Sequence, residues 1–294
     1  MKERVTAGKV WGIISPILIY TAITYAMTYL VMIILALIIT ASDTTLTQDI
    51  VRLRAIEGAK SQALMTMFCS ALATIPVLVF LRYKDIQREK INGRFRKYKR
   101  ISVLKYILII PFGAFCMMAA NYFVNLLVLF IPSLMTDSYV EAEKIIYGNG
   151  LLLQIVEAGI MGPIVEELIF RGLVYTRIKR MTKIIPAAII SSILFGIYHG
   201  NLVQAPYAFI IGMICVYLYD KYKAIAAPII FHISANLLSI ILTALLQGAG
   251  QTAVQPSRIM QMMACFVMII ITGALAFAVG VIINTLVKPK QINE

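Results

Sequence analysis

Apolar residues run through this chain in long unbroken stretches, not in the alternation of half-buried strands or the narrow stripes of surface helices. Crossing ~30 Å of hydrocarbon takes about 20 mostly apolar residues in a helix. The runs parse into eight such spans, approximately 10–41, 62–81, 106–134, 148–178, 185–200, 204–219, 224–246 and 259–287. The fifth and sixth are short and are parted only by a few residues around Asn201. A transmembrane barrel is disfavoured, because its strands are roughly ten residues long and alternate. The predicted class is an all-α membrane protein with eight transmembrane helices.

Composition agrees. The 294 residues are 60% hydrophobic and 14% charged, with a mean hydropathy of +0.85, whereas soluble domains carry about 25% charged residues. The net charge of +13 would suggest nucleic acid for a soluble protein, but its distribution points to a bilayer. With the N-terminus inside, twenty-one Lys and Arg fall on the inner side and five on the outer, and Arg171 lies within a span. The positive-inside rule thus predicts both termini in the cytoplasm, and anionic lipids of that leaflet are the partner of the basic face, not nucleic acid. Lys2, Arg4 and Lys9 imitate the start of a signal peptide, but the apolar run that follows is too long for one, so a retained anchor helix is expected. Residues 82–100 read as a solvated basic loop. Cys69, Cys116, Cys215 and Cys265 all lie in apolar runs and read as packing residues. One membrane-embedded domain is expected. Its first three spans (1–147) carry no motif, its polar groups concentrate in 148–246, and a last span closes it (247–294).

Ionisable groups inside spans are costly and usually mark a site. Here they are Glu157, Glu166, Glu167 and Arg171 in the fourth span, His199 ending the fifth and His232 in the seventh. At 1.5 Å per residue from the inner helix ends, Glu166 lies ~18 Å deep, His199 ~21 Å and His232 ~12 Å, so three helices bring them to overlapping layers. Glu166 and Glu167 point about 100° apart around a helix. Glu167 and Arg171, four apart in the acid-first order, form a structural ion pair in this reading, which leaves Glu166 free as a general base. Phe195, four before His199, stacks below the imidazole as packing or as a substrate wall. His232 and Asn236 share a helix face; they are either a satisfied core pair or two donors aimed at one oxygen. In GIMGP (159–163), Pro163 leaves the Gly159 carbonyl without its helical amide and predicts a kink, while close packing through the glycines is the alternative. Glu157, roughly opposite Glu166, has no assigned role.

EELIFR (166–171), FGIYH (195–199) and HISAN (232–236) resemble the EExxxR, FxxxH and HxxxN motifs of the CPBP intramembrane proteases, the family of the CAAX prenyl endopeptidases and the bacterial Abi proteins. The motifs stand in the family's order on separate predicted spans, and the resemblance covers roughly 148–246. It implies eight helices enclosing an intramembrane catalytic cavity. It also implies that Glu166 and His199 activate water, that His232 and Asn236 form an oxyanion hole, and that Glu167 and Arg171 support them. Peptide or protein substrates, prenylated or not, and a bacterial plasma membrane go with it. The family is commonly labelled as metalloproteases, and zinc on Glu166, His199 and His232 is a familiar ligand set, although the HExxH spacing of many zinc proteases is absent. The rival from another class is a proton-coupled transporter using Glu166, Glu167, His199 and His232 as a relay. A third is a catalytically silent immunity or scaffold protein.

Overall fold

The structure, a computed structural model, describes residues 6–248 and 257–292. Apart from the connections, the described residues are helical, with one isolated antiparallel bridge between Tyr98 and Gln291. Lys2, Arg4 and residues 249–256 of the C-terminal region lie outside the described residues.

The helices in chain order are α1 (Ala7–Ser42), α2 (Gln48–Ser61), α3 (Ala63–Ile91) and α4 (Ile109–Phe130, preceded by the single turn Leu104–Ile107). After α5 (Asp137–Tyr147) comes a continuous rod, 151–181, called α6 here. Next are α7 (Ile184–Tyr198), α8 (Gln204–Tyr222), α9 (Ala226–Gly248) and α10 (Arg258–Leu286). Five helical stretches are long and apolar enough to cross a membrane: Ala7–Ser42, Ala63–Ile91, Leu104–Phe130, Ala226–Leu246 and Arg258–Leu286. α7 has 15 residues, and α6 is divided by wide turns, so neither meets that measure.

Two of the expected loops are helical. α3 continues to Ile91 through the charged sequence that reads as a solvated loop, because Asp85 is buried against Arg177 and gives that extension a tertiary partner. The 42–61 connection contains α2, which buries Ala55 and Ala59, and its Lys60 pairs with Glu141 of α5 at 2.9 Å.

One apolar core surrounds α6: Ile169, Phe170 and Leu173 pack with Tyr20 of α1, Leu78 of α3, and Ala187 and Phe195 of α7. A second joins α4, α8, α9 and α10 through Phe112, Leu218, Phe231 and Ile283. Every residue from Leu168 to Tyr175 is buried, so α6 is the axis of the molecule. Leu37, Ile197 and Phe277 are among the large apolar residues left exposed, as befits a lipid-facing surface. The four cysteines are free and buried or half-buried, as their apolar setting predicts.

Candidate active site

α6 changes pitch twice. Gln154–Met161 and Leu168–Tyr175 are wide π-type turns, and Gly162–Glu167 between them is α-helical. Wide turns of this kind occur preferentially at functional sites. In the first, the Gly162 amide donates to the carbonyl of Glu157, five residues back. By the same register the next amide would serve Ala158, but that residue is Pro163 and has no N–H. The orphaned carbonyl is therefore that of Ala158 and not of Gly159, which an α-helical count predicts. Asn236 of α9 fills it, its Nδ2 donating to the Ala158 oxygen at 2.9 Å. Close packing operates as well: a Cβ at Gly159 would lie 2.6 Å from Leu237 Cδ2, so a larger residue there would push the Leu237 side chain aside.

Glu167 is fully buried, and its Oε1 accepts from two donors: Arg171 Nη1 at 2.8 Å and His232 Nδ1 at 2.9 Å. The i,i+4 pair expected from the spacing is present, and it is shared with the histidine of α9. Because that oxygen already faces a guanidinium, the proton between it and His232 belongs on Nδ1. The other ring nitrogen, Nε2, lies 3.7 Å from Glu166 Oε2. Glu166 is itself partly open, with 21% of its side chain exposed against 0% for Glu167. Two consecutive carboxylates thus differ sharply, one buried and committed and one facing space.

Phe195 is the hub of the apolar wall. The guanidinium of Arg171 lies over its ring, 4.4 Å from the centroid, a cation–π contact that accompanies the Glu167 pairing. Both imidazoles meet the same ring edge to face, His199 at 4.8 Å and 87° and His232 at 5.9 Å and 89°. The contact with His199 is therefore perpendicular, not the parallel stack suggested by the spacing.

His199 is at the C-cap of α7, and Gly200 after it takes the left-handed conformation, φ +71°, that ends the helix. The His199 amide turns to Gly196, and His199 Nδ1 lies 2.9 Å from the Phe195 carbonyl. A carbonyl only accepts, so Nδ1 carries a proton and donates, which leaves Nε2 for another partner. Asn201 then caps α8 by accepting from the Gln204 amide at 2.7 Å. Gly196 allows α7 and α8 to close, since a Cβ there would meet the Ala205 carbonyl at 2.8 Å.

Tyr20, Tyr198, Tyr207 and Glu157 all lie near enough to Glu166 to feel its charge. The tyrosines escape sequence reading because aromatic residues are common in spans, and only the place of Tyr198 beside His199 hinted at one. Glu157 is 1% exposed, and neither of its oxygens has a hydrogen-bond partner among the described residues. The wide turn explains its proximity to Glu166: fewer degrees per residue bring two acids that are opposite in a regular helix towards a common side. The zinc set fits less well. Among the described residues no three His, Cys, Asp or Glu side chains are grouped so as to hold a metal ion. The chemistry derived below uses none.

This arrangement falls within a segment with recognisable relatives. Residues 148–238 match the family model described as Type II CAAX prenyl endopeptidase Rce1-like. The match takes in all three motifs and ends just after Asn236. YdiL of Bacillus subtilis (strain 168), provisionally named a membrane peptidase, is 34% identical over 90 residues, 31% of this chain and 37% of that protein. The membrane-embedded CAAX protease MroQ of Staphylococcus aureus (strain USA300) is 30% identical over 103 residues, 33% of this chain and 42% of that protein. Each similarity spans well under half of either chain. No solved structure matches. The apolar helices and the bacterial membrane relatives make this a multi-pass membrane protein whose 148–238 segment resembles membrane peptidases, and nothing in these relatives supports a transporter.

Proposed function

We propose that this chain is an intramembrane endopeptidase of eight membrane helices, α1, α3, α4 and α6 to α10, arranged around an interior catalytic cavity. Both termini lie on the cytoplasmic side of a bacterial plasma membrane, facing its anionic lipids. Glu166 is the general base that takes a proton from water, and His199 shares that task through its Nε2. The hydroxide attacks the carbonyl carbon of a peptide bond, and His232 Nε2 with the second N–H of the Asn236 amide meets the charge on the tetrahedral oxygen. For Nε2 to donate, the His232 ring must carry both protons, and Glu166 and Glu167 supply counter-charge on either side of it. The proton held by Glu166 and His199 then passes to the departing amine as the C–N bond breaks.

The observation that carries this reading is the division of labour between neighbouring carboxylates. Glu167 is buried and bonded to both Arg171 and His232, whereas Glu166 is partly exposed and approaches only the far nitrogen of that same histidine. Asn236 is held ready by the Ala158 carbonyl, which fixes one N–H and so directs the other. The substrate is a peptide or protein segment that reaches the membrane interior, and a prenylated C-terminus is the form favoured by the family description. Glu166→Gln, purified and reconstituted beside the wild type, should fold alike but cleave about 10²–10⁴-fold more slowly, as expected for loss of a general base. The two membrane peptidomes identify the substrate, and synthetic copies with and without a prenyl group test the lipid requirement. Wild-type processing by Glu166→Gln would remove the proposed base.

A further inference from the structure

The two halves of α6 on either side of Glu166 are buried to different degrees. Towards Met181, every residue from Glu167 to Thr176 is buried. α4 and α9 close on this side as well, since a Cβ at Gly113 would lie 2.6 Å from the Phe231 carbonyl. The start of α1 and the end of α10 are at this closed end, where Arg177 reaches Gly12, Lys179 pairs with Asp220 and Lys221 reaches Asn284. Towards Leu151 burial is interrupted: only Gln154, Glu157, Gly159, Pro163 and Val165 are buried before Glu166. That end leads to α5.

α7 is too short to fill the space at that end. It has 15 residues and α9 has 23, about 22 and 34 Å at 1.5 Å per residue, and both start from the closed end. α7 therefore stops at His199 with roughly 12 Å less helix than α9. Polar side chains occupy the level beyond it. Tyr207, in the first turn of α8, lies within electrostatic reach of Glu166, Tyr147 and Glu143. The Tyr147 hydroxyl of α5 lies 3.4 Å from Ser239 Oγ, one turn beyond Asn236 on α9, and Asn121 Nδ2 of α4 donates to the same oxygen at 3.4 Å. Tyr147, Tyr207, Ser239 and Asn121 are all partly exposed, as Glu166 is. Polar groups at membrane depth face a water-filled cavity rather than hydrocarbon.

We propose that the peptide reaches Glu166 from the face of the membrane on which α5 lies, opposite the chain termini, and that Tyr207 and Tyr147 line its path and hydrogen-bond its backbone. This inference rests on the peptidase reading and narrows the substrate to segments presented on that face, the extracytoplasmic one when both termini are cytoplasmic. An extended peptide leaves its backbone groups unpaired and needs partners at membrane depth. A phenol serves whatever the side chains are, because it donates to a peptide carbonyl or accepts from a peptide N–H.

Tyr147→Cys and Tyr207→Cys in the full chain, treated with a membrane-impermeant cationic thiol reagent in right-side-out and in inverted vesicles, test the path. Both should react about 10²-fold faster from the α5 face, because hydrocarbon bars a fixed charge from the other side. Lys288→Cys, exposed near the end of the chain, should react only from the opposite face and so fixes the orientation. The wild type, whose cysteines are buried or half-buried, gives the background. In oriented proteoliposomes the identified substrate should be cleaved when added on the α5 face, and prior reaction at Tyr207→Cys should block that cleavage. Labelling of both variants from the face of the termini, or of neither variant from either face, overturns the proposal and leaves the peptidase reading intact. Cleavage only of substrate added on the face of the termini overturns it too. The labelling needs no turnover, so failure of the path is told apart from failure of the base, which Glu166→Gln reads.

Discussion

Two prolines inside helices, Pro16 in α1 and Pro163 in α6, create the same local fault, and the molecule repairs the two faults differently. Each lacks an N–H and leaves a carbonyl in its own helix unpaired, Gly12 in the α-helical register of α1 and Ala158 in the wide register of α6. In a membrane such a group must find a partner from elsewhere in the protein. Arg177 Nη1 donates to Gly12, and Asn236 Nδ2 donates to Ala158. Arg177 retains an ion pair with Asp85 and sits at the rim of a recess formed with the start of α1 and the end of α3. Asn236 sits between α6 and α9, where a neutral amide fills the gap and a charge would need a counter-charge of its own. The rim repair ties α6 to α1, whereas the deep repair ties α6 to α9.

The sharpest way to break this comparison is to remove one charge from each end of α6. Arg171→Leu strands Glu167 in a fully buried position and should cost about 3–5 kcal/mol of stability, while Arg180→Gln, in the half-open rim network, should cost no more than about 1 kcal/mol. Chemical unfolding of both in one detergent checks the contrast, and equal losses would mean that burial does not separate the two clusters.

Asn236→Ala comes next, with turnover expected to fall about 10²–10³-fold for loss of one oxyanion donor. Arg177→Gln, which breaks the corresponding bond at the rim, should leave turnover near the wild-type value. A cleavage assay on the identified substrate reads both, and a silent Asn236→Ala would reduce that residue to packing.

The smallest effect belongs to Pro163→Ala. It restores an amide that competes for the Ala158 carbonyl, loosens Asn236, and should lower turnover by less than Asn236→Ala does while leaving thermal unfolding little changed. Unaltered turnover in this variant would show that the Ala158 bond does not orient the amide.

Much of this protein is readable before folding. The apolar runs announce a helical membrane protein because hydrocarbon forces each span to satisfy its own backbone, and span length then becomes visible as composition. The three motifs point to the family whose model matches 148–238, and the Glu167–Arg171 pair follows from spacing alone, since four residues make one turn. The extension of α3 to Ile91 was hidden, because the partners that order its charged end are Arg177 and Arg180, more than ninety positions away in the chain.

Sequence by itself determined what depends on a single helix: which stretches are apolar and which charges are neighbours. Only tertiary structure decided what depends on pitch and on contacts between helices. A switch from about 100° per residue to a wider turn shifts the orphaned carbonyl by one residue and turns Glu157 towards Glu166. Neither change follows from local spacing, because the energy that stabilises a wide turn comes from partners such as Asn236, supplied by another helix.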